Sequence, residues 1–271
     1  MVGTAKGDGV FSLLERFQSL GAKPIVVDAA TSGRKMDEAP RQATEVVNAA
    51  ASLKPGQTAF VTFELGTNDL CDDPKTDPNS FQADLTSAIA ILRSGLPAGS
   101  RIEIVSVPDF SHFRDITQAN TAAKDALSLR KNSRMCAPFL GNDSPTDILT
   151  AQRIMLSYDS ILSGACDDID AKDAPTGKLF CRSNRLDLAD SDFTIKDMST
   201  VDYFHPSLLG QAKMANAAWN VGFWGEIQFA TRSVGAPPSA GVPLIGFAFL
   251  PPTTIRSRFS RRRRTRSAEE A

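Results

Sequence analysis

The stretch that decides the fold class is "TAFVTFELGTNDLC", residues 58–71. Its first eight residues are mostly apolar, aromatic or β-branched, which predicts a buried strand that ends at Gly66. A Gly-x-Asn-Asp sequence follows the strand directly. In parallel α/β sheets, the chemistry lies on loops that follow the carboxyl ends of strands. The stretch therefore predicts a parallel sheet and a candidate binding loop.

The segments on either side of this stretch alternate between short strands and longer helices. Further strands are predicted at 23–27, 101–107 and 178–181. Apolar residues at helical spacing predict helices over 10–20, 36–53, 77–96, 114–130, 146–164 and 206–224. This alternation predicts an α/β fold with three layers, α/β/α, in which helices cover both faces of a mainly parallel central sheet.

The composition changes near residue 228. Residues 1–227 carry the alternation of strands and helices, whereas residues 228–271 are rich in proline, serine and arginine and have no sustained period. We expect the first range to form the domain and the second to be a linker with a disordered tail. The arginine-rich end, residues 256–271, is interpreted as a solvated terminus rather than a nucleic-acid or targeting patch.

The composition excludes several classes of protein. Apolar residues at 42% and charged residues at 23% are ordinary for a globular domain. Residues 1–255 hold 23 basic and 29 acidic side chains, so we expect no nucleic-acid surface on the domain. No run approaches the ~18 apolar residues that span a bilayer. No secretory signal is visible in the first residues.

The chain has four cysteines, and none falls in a C-x-x-C pair: Cys71, Cys136, Cys166 and Cys181. Zinc-ribbon and thioredoxin sites therefore have no support. The even count fits two disulfides with three possible connectivities, or four ordinary thiols.

Two loops after predicted strands carry candidate hydrogen-bond donors. Gly33 follows the strand at 23–27, and glycine lets the backbone approach a ligand closely. Asn68 follows the strand at 58–65 and supplies a neutral amide donor, while Asp69 can hold the loop by accepting from backbone N–H groups. The alternative interpretation of each loop, taken alone, is a simple turn.

A third loop, "STVDYFHPSLLGQ", carries an aspartate three residues before a histidine. A histidine that acts as a general base needs a fixed tautomer, which an acid on its other ring nitrogen provides. Asp202 is near enough in sequence to orient His205 in this way. The alternative is a helix N-terminus with an unrelated histidine. His112, the other histidine of the chain, lacks such a companion motif and is interpreted as structural or surface-exposed.

Together, the three loops supply the parts of an acyl-transfer site, and their sequences resemble the SGNH or GDSL-type hydrolases. The resemblance covers roughly residues 1–225 and is closest in "NDLC", "SVPDF", "RMCAP" and "DYFHPSLLGQAKMA". These motifs are similar to those of a secreted bacterial branch of esterases and phospholipase-like enzymes. The resemblance implies that Gly33 and Asn68 are oxyanion donors, that His205 is the base and that Asp202 orients it.

The resemblance also implies properties of the whole protein. We expect a secreted, monomeric hydrolase of small-molecule esters, such as lipid, acyl or acetyl esters, that uses no metal and no organic cofactor. An exported protein favours disulfides, and the expected pairs are Cys71–Cys136 and Cys166–Cys181.

One family motif is absent, because the 271 residues contain no Gly-Asp-Ser nucleophile block. The spacing to the helix at 10–20 leads us to expect that the chain begins just after this serine. The first strand would then be missing, which leaves an empty sheet position beside the strand at 23–27. Three interpretations remain open: a hydrolase that is incomplete and inactive in this form, a non-catalytic relative that binds acyl or glycan ligands, and an interaction protein that acts through its arginine-rich tail.

Overall fold

The computed structural model of the protein describes residues 9–72, 74–129, 136, 144–183, 193–225 and 244–246. The strands in these ranges are β1 (Val27–Asp28), β2 (Phe60–Phe63), β3 (Ser100–Ile104), β4 (Leu179–Ser183) and β5 (Leu244–Gly246). They form one sheet in the order β1–β5–β2–β3–β4. All neighbouring pairs in this order are parallel, which confirms the predicted α/β class.

The helices in the same ranges are α1 (Leu13–Ser19), α2 (Ala39–Ala50), α3 (Thr67–Cys71), α4 (Pro78–Gly95), α5 (Phe110–Gln118), α6 (Thr121–Leu129), α7 (Pro145–Lys172) and α8 (Leu208–Val221). Most begin at residues that the sequence marks as helix starts. Asp77 caps α4 and Ser207 caps α8, and each side chain accepts hydrogen bonds from backbone N–H groups of the first turn. None of the described helices has the length and apolar character needed to cross a membrane.

Two clusters of buried residues lie on opposite sides of β2, which agrees with the predicted three layers. Val61 and Phe63 of β2 belong to a core that also includes residues of α2, α4, α5 and α7. Phe60 points to the opposite face, because side chains alternate along a strand. It is buried there in a second cluster with residues of α1 and α8: Leu13, Leu14, Phe17 and Trp219.

Several predicted boundaries differ from the observed ones. A strand is expected at 23–27, but only Val27 and Asp28 pair with a neighbouring strand. Ile25 and Val26, which precede Val27, are exposed by 54% and 38%. The helix expected at 114–130 is two helices, α5 and α6, which are separated at Ala119 and Asn120. In short segments of this kind, tertiary contacts rather than local propensity determine where a strand or helix begins and ends.

The position of β5 corrects the expectation for the C-terminal segment. Ile245 pairs with Val27 on one side and with Val61 on the other, so β5 lies inside the sheet. Residues 244–246, which fall in the expected tail 228–271, are therefore part of the fold. The domain boundary near 228 stays a prediction, since 226–243 and 247–271 lie outside the described residues.

The same observation corrects the expected empty sheet position. β1 and β2 both pair with β5 rather than with each other, which leaves a space one strand wide between them. β5 fills this space beside β1. Its sequence lies in "GVPLIGFAFLPP", a short apolar run of the kind that forms a buried strand. The prolines and the missing periodicity around this run predict a tail instead, because they hide the strand.

Both expected disulfide pairs are confirmed. The Cα atoms of Cys71 and Cys136 are 4.0 Å apart, and those of Cys166 and Cys181 are 5.3 Å apart. Both distances lie below the ~7 Å at which a disulfide becomes impossible. The first bond attaches the end of α3 to the segment after α6, and the second attaches α7 to the edge strand β4.

Candidate active site

The Asp202–His205 pair forms as the spacing predicts. Asp202 Oδ2 lies 2.6 Å from His205 Nδ1. Its other oxygen, Oδ1, accepts hydrogen bonds from the backbone N–H groups of Phe204 and His205, each at 3.0 Å. Burial opposes the charge of Asp202, but these hydrogen bonds outweigh it and hold the pKa of Asp202 below its ordinary value.

A short 3₁₀ turn and the start of α8 hold the segment that carries this pair. Asp197, in the 3₁₀ turn Ile195–Asp197, accepts hydrogen bonds from Thr194 and from Lys213 Nζ, the latter at 2.8 Å. Burial opposes its charge, yet these contacts hold the pKa of Asp197 below its ordinary value. A Cβ atom at Gly210 would collide with the carbonyl oxygen of Asp197, so α8 can approach the turn only because residue 210 is glycine.

Aromatic contacts join the His205 segment to the helix after β3. The ring of Phe204 stacks on Phe110, the first residue of α5, with centroids 5.6 Å apart. Phe193 stacks on Phe113 in the same way, at 5.2 Å. His112 Nε2 lies 2.9 Å from the carbonyl oxygen of Phe193, which agrees with the structural role predicted for it.

Asn68 lies in the first turn of α3, directly after β2. Gly66 is the residue before this helix, and its φ of 122° is a conformation that glycine adopts readily. The Nδ2 atom of Asn68 donates a hydrogen bond to the carbonyl oxygen of Arg34 at 2.9 Å. Arg34 follows Gly33, so the structure brings the asparagine loop against the glycine loop.

Asp69 makes a second connection between the same two loops. Its side chain is fully buried, and Oδ2 accepts a hydrogen bond from the backbone N–H of Met36 at 2.9 Å. Burial is the main cause that raises the pKa of Asp69. The expectation that Asp69 holds the loop through a backbone N–H is confirmed. The disulfide from Cys71 fixes the other end of α3.

The three loops are associated with the carboxyl edge of the sheet. Gly33 follows β1 and Asn68 follows β2, and parallel strands end at the same edge. Phe204, the neighbour of His205, contacts Phe110, which follows β3. The structure joins two pairs directly, namely Asn68 with the glycine loop and Asp202 with His205. The convergence of the two pairs on one pocket stays a prediction.

Neither Ser12, near the start of the sequence, nor Ser32, beside Gly33, lies in a Gly-Asp-Ser sequence. Ser12 is fully buried as the N-cap of α1, where its hydroxyl contacts Glu15. The helix predicted over 10–20 would include Ser12, whereas the observed α1 starts after it and Ser12 is its cap. Ser32 is exposed in the turn before Gly33.

Some buried acids of this region were not found from the sequence. Asp159 of α7 accepts a hydrogen bond from the N–H of Val107 at 2.8 Å, and burial raises its pKa to about 7. Burial also raises the pKa of Glu64, directly after β2, and raises that of Glu103 in β3 to about 8. The only sequence signal for these acids is a charged residue inside a segment that is otherwise predicted to be a helix or a strand. In the described part of the chain, no group of three or more His, Cys, Asp or Glu residues could hold a metal ion.

A parallel sheet between layers of helices, with a Gly-x-Asn-Asp turn after a central strand and an Asp-x-x-His pair just before the last described helix, is typical of the SGNH class of hydrolases. The comparison with family models agrees, since the GDSL-like Lipase/Acylhydrolase model matches residues 10–218. The chain belongs to this family of ester hydrolases. No curated protein matches the chain at a significant level of similarity.

Proposed function

We propose that this chain supplies the general base and the oxyanion donors of a carboxylic-ester hydrolase site. His205 is the base, Asp202 orients it, and the backbone N–H of Gly33 and the amide of Asn68 bind the oxyanion. The observation that carries the proposal is the 2.6 Å contact between Asp202 Oδ2 and His205 Nδ1. This contact has the geometry that a Ser-His-Asp mechanism needs between its acid and its base.

The Asp202 contact supports a defined tautomer of the imidazole. A carboxylate beside Nδ1 favours the proton on that nitrogen and directs the basic lone pair to Nε2. An ionised Asp202, whose pKa is held low, would also stabilise the imidazolium that forms when the base takes a proton. His205 is in this way suited to accept the proton of an attacking hydroxyl group and to return it to the leaving alcohol.

The contact between Asn68 and Arg34 supports the oxyanion role of the amide. One hydrogen of the Nδ2 group is used by the Arg34 carbonyl, which fixes the plane of the amide. The second hydrogen of the same group would bind the oxyanion together with the N–H of Gly33. Donors that are fixed before the reaction stabilise the developing charge without reorganisation.

The missing Gly-Asp-Ser sequence leads to a second part of the proposal. These 271 residues provide no serine in the family's nucleophile motif, and Ser12 is buried as a helix cap. We propose that the chain binds ester-like ligands at this site but does not turn them over by itself. The alternative function, a non-catalytic protein that binds acyl or glycan ligands, is favoured by the same observation.

The experiment compares turnover with binding. Hydrolysis of p-nitrophenyl acetate should not exceed that of a His205→Ala variant, since loss of a triad nucleophile lowers the rate by roughly 10⁴–10⁶. Butyrate, whose carboxylate resembles the product, should bind the original chain and should bind the Asn68→Ala variant more weakly. Asn48→Ala, on the exposed face of α2, is the control. Turnover that Ser12→Ala or Ser32→Ala abolishes would contradict the proposal.

The two disulfides support a location outside the reducing cytosol, because such bonds persist in oxidising compartments. We propose that the protein is secreted, monomeric and specific for small-molecule esters. Light scattering of the purified chain and the recovery of protein in the medium of a secreting host test the first two points.

A further inference from the structure

β5 differs from the other strands of the sheet in how it reaches its place. It lies between β1 and β2, although the chain passes from β1 to β2 through α2 without it. It follows the end of α8 by more than twenty residues, of which 226–243 lie outside the described ranges. We propose that the space between β1 and β2 is a strand-binding site, and that Leu244–Gly246 is its tethered, exchangeable occupant.

The two sides of this site, β1 and β2, are held by contacts that do not involve β5. β2 pairs with β3 over four residues, and β3 pairs with β4 over five. Val61 and Phe63 are buried in the core with α2, α4 and α7. The other side is held where β1 ends, because Met36 donates to Asp69 and Asn68 donates to Arg34. The site can therefore exist with both sides in place before the strand enters.

The occupant itself is held by short backbone pairings. Leu244–Gly246 pairs with β2 over three residues and with β1 over two. Among the described residues, β5 is the only strand that pairs with β1. A strand added to a sheet gains its affinity from main-chain hydrogen bonds. Because proline lacks the backbone N–H, Ile245→Pro should weaken this pairing and release β5.

The site also restricts the chemistry of its occupant. Phe60 and Val61, on the side formed by β2, are fully buried, and so are the cores on both faces of the sheet. A parallel strand that is covered on both faces must be apolar, since a charged side chain there would be buried without a partner. "VPLIGF" meets this requirement, and the arginine-rich end of the chain does not.

The test uses the whole chain with a single cut. A protease site is placed within 228–238 and cleaved, so that the C-terminal fragment is held only by its contacts. We expect the fragment to co-elute with the domain and to be displaced by an excess of labelled peptide 241–249. With Ile245→Pro, the nicked chain should lose its fragment, and the amides of Val27–Asp28 and Phe60–Phe63 should exchange roughly tenfold faster. Adding peptide 241–249 should restore their protection, and Ile255→Pro is the control.

Three results would overturn the proposal. The Ile245→Pro fragment could stay bound as firmly as the original, which would mean that strand pairing does not hold it. The original fragment could leave without any change in the amides of β1 and β2. The labelled peptide could fail to enter, and uncut chains could instead form dimers. In that case the strand between β1 and β2 would come from a second copy of the chain. None of these measurements uses ester hydrolysis, so they are independent of the proposed function.

Discussion

The Asp202 carboxylate contacts both the ring and the backbone of His205. Oδ2 lies 2.6 Å from Nδ1 of the ring, and Oδ1 accepts a hydrogen bond from the His205 N–H at 3.0 Å. One side chain thus fixes the orientation of the proposed base and the turn that carries it. Removing the charge should affect stability as well as the site.

We predict that Asp202→Asn lowers the free energy of unfolding at pH 7 by about 1–3 kcal/mol, the usual range for hydrogen bonds to a charged group. The pKa of Asp202 is lower in the folded protein, so its contribution is present above the unfolded pKa of ~4 and is lost as the pH falls through the folded value. Urea unfolding from pH 7 down to pH 3 should show the difference in stability between the two proteins becoming smaller. Asp115→Asn, at an exposed position of α5, serves as the control. A difference that grows towards pH 3 would be inconsistent with this account.

Glu103 should produce the opposite pH dependence. Burial raises its pKa to about 8, so the folded protein prefers the neutral acid and loses stability as the pH rises from ~4.5 to about 8. Glu103→Gln removes this titration. We expect the variant to match the original at pH 5 and to be more stable at pH 8.5, by on the order of 3–5 kcal/mol as an upper bound. If the difference in free energy of unfolding between the two proteins did not change between pH 5 and pH 8.5, the prediction would be wrong. Glu45→Gln on the surface of α2 is the control.

The bond between Asp69 and Met36 should be needed to hold together the two loops that carry Gly33 and Asn68. Asp69→Ala removes the acceptor of a buried N–H, which costs about 1–3 kcal/mol. Asp69→Asn keeps an acceptor oxygen and should cost less, since burial already raises the pKa of Asp69 towards the neutral form. Hydrogen exchange of the Met36 amide distinguishes the two variants. Equal exchange rates in both would show that this bond does not hold the loop.

The two disulfides should stabilise the protein unequally. Cys71–Cys136 spans 65 residues of sequence and Cys166–Cys181 spans 15. In the chain-entropy account, the losses on replacing each pair by alanine are about 4 and about 3 kcal/mol. Urea denaturation of the two double variants measures the difference. The reverse order, with the shorter loop contributing more, would mean that native packing rather than loop closure sets the effect.

Two deletions should separate β5 from the residues after it. Deleting 256–271 should leave the Tm nearly unchanged, whereas deleting 241–271 also removes β5 and should lower the Tm by roughly 5–10 °C, given about 2–4 °C per kcal/mol in a domain of this size. Calorimetry of the two shortened chains gives the comparison. A drop of several degrees on deletion of 256–271 alone would show that this end is also part of the fold.

Much of the fold followed from local patterns. The buried run at 58–65 and the alternating helices were enough to predict a parallel sheet in three layers. The Asp-x-x-His spacing was enough to predict the contact between Asp202 and His205, because three residues fit one turn. The disulfide pairs needed the family resemblance, since four cysteines alone allow three connectivities.

Other features depend on contacts that no local pattern reveals. β5 is short and surrounded by proline, so only its two neighbours in the sheet identify it as a strand. The roles of Asp159 and Glu103 depend on burial by residues far away in the chain. The bond from Asn68 to Arg34 joins two loops that are separated by a strand and a helix. Such long-range pairings are set by the packed sheet rather than by the residues themselves.

The place of β5 in the sheet also constrains the biosynthesis of the protein. Domains generally begin to fold from the N-terminus while the chain is being made. Here the interior strand β5 follows the other described strands in sequence, so among the described residues β1 has no strand neighbour until residues 244–246 have left the exit tunnel. The pairings of Ile245 with Val27 and with Val61 join residues that are far apart in sequence, and pairings of such high contact order form slowly. The described sheet is therefore completed only after residues 244–246 have emerged, and a ribosome-bound chain that ends before residue 244 should hold a sheet that is open between β1 and β2.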